Sequence, residues 1–344
     1  MSIKAVLAVP FVLLAAAPAG TQWQTVEPGG DTVCSDGSPY RFFVHPGDPG
    51  RLLIEFEGGG GCWSAETCAL SLYTPRVSID PELARRDGLL VGIYDRGNPE
   101  NPFREWTHVY VPYCTADLHW GNSVRVYASA YGTYTVQHKG AVNAAAALRW
   151  ASENVRAPGQ VAVAGCSAGG YGSILWAPAL MARYSGASVV HLSDSAAGVV
   201  PPGFFATILA SWDVSAAWPK DIAPLALETL DPSRMTLADL YTGIAGHYPL
   251  STFSQFNTLA DSTQVFFYGL TRGDMATAAD WSAQMQASIA ALKAANPNFV
   301  AYTAPGEQHC FINTPSFYTT TVNGVRLVDW VGGILSARPP ASVP

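Results

Sequence analysis

The chain has 344 residues, of which 49% are hydrophobic and only 13% charged, and its formal net charge is −7. That composition supports a large buried core and excludes a disordered chain. The acidic balance, with few Lys and Arg, also excludes nucleic acid as a partner, because phosphate binding needs clustered cations.

Taken in chain order, residues 1–19 read as a signal peptide. Lys4 supplies the positive start, residues 5–17 (AVLAVPFVLLAAA) the apolar stretch, and Ala17-Pro18-Ala19 a small-x-small cleavage site. The apolar run of about 13 residues falls short of the roughly 20 that span a bilayer, and no later segment is apolar for long enough. A secreted or periplasmic protein is expected. Residues 20–344 show no repeat or low-complexity linker and read as one domain. Its six cysteines are Cys34, Cys62, Cys68, Cys114, Cys166 and Cys310. An even number in an exported chain predicts disulfides, and the spacing lacks the Cys/His pattern of a zinc site.

Strands are predicted at 51–56 (RLLIEF), 89–94, 108–113, 160–164 (QVAVA), 188–192, 252–259, 264–268 and 298–303. Helices are predicted at 137–155, which holds four consecutive alanines, and at about 172–184. Alternating strands and helices predict an α/β fold of the α/β-hydrolase type, a mostly parallel sheet covered on both faces. The aromatic-rich stretch 201–249 would form an inserted cap.

Three features carry chemistry. GCSAG at 165–169 matches G-x-S-x-G and lies between a strand and a helix, the context in which such a serine acts as a nucleophile. Glycines 58–61 follow the RLLIEFE strand, where backbone N–H groups can turn towards a substrate oxygen. In this fold the acid and then the histidine follow the serine. That order leaves His191, His247 and His309, and His309 sits on the late loop expected for the base. Pattern alone does not choose the acid among Asp194, Asp261 and Asp274. No metal or organic cofactor is required. Trp63, Trp120, Trp212 and Trp218 would stack on sugar rings, line an acyl pocket, or simply pack.

Five stretches resemble the pectin acetylesterase and Notum carboxylesterase family: IEFEGGGGCWSAETC, GIYDRGNPENPFREWTHVYVPYCTADLHWGN, GCSAGGYGS, FNTLADSTQ and GEQHCF. The resemblance implies a serine esterase with Ser167, Asp261 and His309 as its triad. It implies oxyanion donors at the N–H groups of Gly59, Gly60 and Ala168, and leaves Asp194 a structural role. It further implies disulfides Cys62–Cys68 and Cys34–Cys114, which leaves Cys166 with Cys310, each beside a triad residue. An O-acetyl ester on a polysaccharide is the implied substrate, with a longer-acyl ester or a polyester as alternatives. An inactive binding protein on a hydrolase scaffold is the rival from another class. One departure is that the tryptophan which family members place directly after the first glycines is here Trp63, beyond Cys62.

Overall fold

The computed structural model describes residues 22–130, 132–336 and 339–344. The expected signal peptide, 1–19, lies outside them. Ten strands concern the site: β1 (Gln24–Val26), β2 (Phe42–His45), β3 (Asp48–Phe56), β4 (Trp106–Val111), β5 (Ser123–Ser129), β6 (Gly132–His138), β7 (Gln160–Cys166), β8 (Ser188–Asp194), β9 (Thr252–Thr258) and β10 (Phe299–Ala304). Eight of them form one sheet in the order β1-β2-β4-β3-β7-β8-β9-β10. From β4 to β10 every neighbouring pair is parallel, while β1 and β2 add an antiparallel edge. β5 and β6 form a separate hairpin.

The helices are α1 (Ala65–Ala69), α2 (Pro81–Arg86), α3 (Gly140–Asn154), α4 (Ala168–Arg183), α5 (Phe204–Trp212), α6 (Leu237–His247), α7 (Ser262–Arg272), α8 (Ala278–Ala295), α9 (Ser316–Thr319) and α10 (Leu327–Leu335). Side chains alternate across the sheet with a period of two. Leu52, Ile54 and Phe56 of β3 join Val161 and Val163 of β7 in a core with α3, α4, α6 and α8. Leu53, Ala162 and Ala164 face the other way, against Trp330, Val331 and Ile334 of α10. Both faces of the sheet are therefore covered, as the near-continuous apolar strands require.

Two predicted strands are not strands. Residues 89–94 form a loop ending in a single 3₁₀ turn, Gly92–Tyr94. Their backbone bonds are spent elsewhere: Ile93 N–H donates to Ile312 O at 2.7 Å, and Asn101 Nδ2 donates to Ile93 O at 2.9 Å. Residues 264–268 lie inside α7. The apolar QVFFY run resembles a strand, but Asp261 caps the Gln264 N–H at 2.9 Å and Gly273 closes the far end in the left-handed conformation. The predicted helix 137–155 begins at Gly140, because Gln137 and His138 finish β6.

Candidate active site

β7 ends at Cys166 and α4 begins at Ala168, so Ser167 alone makes the turn, with φ 55° and ψ −124°. A non-glycine residue in such a conformation costs of order 1–3 kcal/mol and persists only where the surroundings enforce it. Here Ser167 N–H donates to Asp194 O at 2.9 Å. The turn also presses on β3: a Cβ on Gly169 would lie 1.9 Å from Phe56 O, so no larger residue fits. As the first residue of α4, Ala168 has an N–H without an intrahelical acceptor, and it points from the positive end of the helix.

The glycine loop leaves β3 directly beside this turn. Gly60 has φ 77°, and a Cβ there would lie 1.9 Å from Leu72 O. Tyr113 holds the loop twice. Its N–H donates to Glu57 Oε2 at 2.7 Å, and its hydroxyl donates to Gly60 O at 3.0 Å. His119 Nε2 lies 2.9 Å from Glu57 O. Burial depresses the His119 pKa to about 4, so the ring is neutral, and this contact places its proton on Nε2. The Cys62–Cys68 disulfide closes the next turn, with Cα atoms 4.9 Å apart.

His309 follows β10 and meets Asp261. Its Nδ1 lies 2.9 and 2.8 Å from the two carboxylate oxygens, and Asp261 is fully buried. Gln264 fixes that carboxylate from its own side: its N–H donates to Oδ1 at 2.9 Å and its Nε2 donates to Oδ2 at 3.0 Å. Gln264 is in turn held by Ala197 N–H. Sequence reasoning missed Gln264, although D-S-T-Q is a helix-start pattern with Asp as the cap and Gln three residues on. Asp274, the rival acid, is exposed and paired with Arg272 at 2.8 Å.

Asp194 is buried and receives the N–H groups of Phe311 and Ile312 at 2.6 and 2.9 Å and the Ser195 hydroxyl at 2.9 Å. Burial raises its pKa to about 6 against the opposing effect of these bonds. One aspartate thus anchors the histidine loop, while its own carbonyl holds Ser167. Cys166 and Cys310 are joined, as are Cys34 and Cys114. The sulfurs of 166 and 310 also gather with the His309 ring, but being bonded to each other they offer no thiolate to a metal.

Ser167 and His309 line two cavities. The first, about 810 Å³ with its mouth, is walled by Trp63, Trp120, Phe204, Ile208, Trp212 and Trp281. Trp120 and Trp212 are nearly fully buried and spend their indole N–H groups on Tyr171 O and Cys62 O, so they form its floor rather than a sugar platform. Trp218 is buried, with its N–H on Leu225 O. The second cavity, about 1390 Å³ with its mouth, lies along Glu57, Gly58 and Gly59 and opens past Ile79, Leu89 and Val91.

A mostly parallel sheet with a serine on the strand-to-helix turn and a buried aspartate–histidine pair on later loops defines an α/β-hydrolase-like protein. Residues 19–205 match the family model for pectinacetylesterase. The chain belongs to the pectinacetylesterase family. It is similar to the palmitoleoyl-protein carboxylesterase NOTUM of Schmidtea mediterranea, with 32% identity over 89 residues, 25% of this chain and 17% of that protein. To notum1' of Xenopus laevis it is 30% identical over 103 residues, 29% of this chain and 21% of that protein. The matched stretch is thus about a fifth of the length of either relative. Among solved structures, the Wnt deacylase Notum from Drosophila superposes with a TM-score of 0.65 over 90% of this chain and 92% of that one, at 16% identity. At that identity the likeness shows the fold.

Proposed function

We propose that the chain is a secreted serine carboxylesterase with Ser167 as nucleophile, His309 as general base and Asp261 as the residue that orients it. The observation that carries this reading is the His309 Nδ1–Asp261 contact at 2.8 Å beside a serine held at φ 55°, with serine and histidine opening on the same cavities. Ser167 Oγ bonds to the ester carbonyl carbon and its proton passes to His309 Nε2. The N–H groups of Gly59, Gly60 and Ala168 receive the oxyanion. The carbon–oxygen bond breaks, His309 protonates the departing alcohol, and water then hydrolyses the acyl-enzyme by the same route. Losing one oxyanion donor would cost about 100- to 1,000-fold in rate. Three disulfides fit an oxidising compartment, and no helix among the described residues is long and apolar enough to cross a membrane.

The family's name points to an O-acetyl ester on a polysaccharide. A specific observation favours a second reading: the cavity beside Ser167 is walled by aromatic and aliphatic side chains well beyond the reach of an acetyl group and suits a longer acyl chain, with α5 of the 201–249 stretch as one wall. Labelling with a fluorophosphonate tests the nucleophile. The covalent adduct is expected on the peptide that contains Ser167. Failure to label, or a label on another serine, contradicts the assignment and revives the inactive-scaffold alternative.

A further inference from the structure

We infer that the second cavity receives the leaving alcohol, and that this alcohol is uncharged rather than a uronide. The inference rests on the proposed serine mechanism and adds the class of alcohol.

Geometry divides the two sides of Ser167. The aromatic cavity is the smaller and the more apolar of the two, with buried Trp120 and Trp212 in its wall, which suits an acyl chain. The second cavity is larger and its rim is open, which suits an alcohol that continues beyond the protein. No Lys or Arg lines it among the described residues. The nearest basic side chains on α2, Arg85 and Arg86, are both bound to Glu82 at 2.7 and 3.3 Å. Its ionisable groups besides His309 and two tyrosines are Glu55 and Glu57. Glu55 is spent on the Tyr94 hydroxyl and on His108 Nε2, at 2.6 and 2.7 Å. Glu57, half-buried, accepts the Tyr113 N–H. The rim is aliphatic, with Ile79 49%, Leu89 66% and Val91 36% exposed.

A carboxylate on the alcohol would enter such a cavity with no Lys or Arg among its lining residues to meet it. Burying a charge without a partner is strongly unfavourable. A neutral ring or an aliphatic alcohol meets no such penalty, and its apolar face matches the rim. The shared chemistry of these two sources is the absence of charge.

The test compares kcat/KM for three acetyl esters: methyl galactoside, methyl galacturonoside, which differs only in carrying a carboxylate, and hexanol. We expect the galactoside ester to exceed the galacturonoside ester by about tenfold or more. Turnover of the hexyl ester above the galactoside would identify the source as aliphatic, and the reverse order as a neutral sugar. In Leu89→Lys, which adds a cation at the rim, the galactoside-to-galacturonoside ratio should fall several-fold. A ratio within one preparation is independent of how much of the variant is folded. Equal or preferred turnover of the galacturonoside overturns the inference, as does a ratio that Leu89→Lys leaves unmoved. Ser167→Ala separates the failures: if it is silent, only the cavity assignment falls; if it remains active, the serine mechanism falls and takes the inference with it.

Discussion

A buried carboxylate that touches a histidine through both oxygens does something a surface carboxylate does not. Asp261 is shielded from bulk solvent, so its interaction with His309 is strong, and Gln264 holds the carboxylate in place. Asp261→Asn should lower kcat by about 10⁴-fold, through the wrong imidazole tautomer. Asp274→Asn, which removes only an exposed pair with Arg272, should leave kcat within about twofold. Steady-state kinetics on one activated ester checks both, and the reverse ranking would move the acid to Asp274. At this scale the proposed nucleophile Ser167 and base His309 are read from a local motif and from chain order. Pattern alone left the acid open, because Asp261 and Asp274 bracket the same helix, and only the resemblance carried by FNTLADSTQ pointed to Asp261. Gln264 was invisible for a related reason: its role depends on a side chain reaching back one helical turn.

Among the elements, the turn after β7 and the loop after β10 are separate in sequence and joined by the Cys166–Cys310 bridge, which spans 144 residues. Closing a loop of that length removes much freedom from the unfolded chain, so replacing both cysteines by alanine should cost about 2–4 kcal/mol. Because Asp194 also pins residues 311 and 312, His309 should stay near Ser167 but less tightly held. The double variant should therefore lose kcat with little change in KM, beside a lower melting temperature. A variant as stable and active as the parent would contradict this view of the bridge. Elements with a strong period were legible, β3, β7 and α3 among them. Two short apolar stretches were not. Residues 264–268 have a strand's composition, but the capping Asp261 and terminal Gly273 impose a helix. Residues 89–94 lack a partner strand because their backbone bonds the loop around 312.

For the molecule as a whole, the sheet carries ionisable groups in its interior that titrate with folding. Burial raises the Glu55 carboxyl from 4.5 to about 8 and pushes His108, 2.7 Å away, well below 6.5, so the pair is neutral at neutral pH. A carboxyl whose pKa rises on folding contributes stability in full below its unfolded value and loses that contribution as pH climbs through the folded one. The window here runs from about 4.5 to about 8. His108, depressed on folding, contributes the opposite slope up to about 6.5, so the Glu55 share is read as a difference: Glu55→Gln, neutral at every pH, should gain in melting temperature relative to the parent as pH climbs through the window. An unchanged slope in that variant would rule that share out. The parallel sheet and its two covered faces were legible from alternating apolar segments, whereas the antiparallel β1–β2 edge was not, since it joins the sheet through β4, distant in sequence. The local β5–β6 hairpin was also missed, although SVRVYAS and GTYTVQH carry β-branched and aromatic residues on either side of a tight turn. The measurement that bears most directly on the whole account is hydrolysis of p-nitrophenyl esters from acetate to palmitate by the oxidised protein beside Ser167→Ala. The parent should turn these esters over and the alanine variant should lose about 10⁴-fold or more, whereas equal activity in the two proteins, or none in either, would contradict a Ser167-dependent esterase.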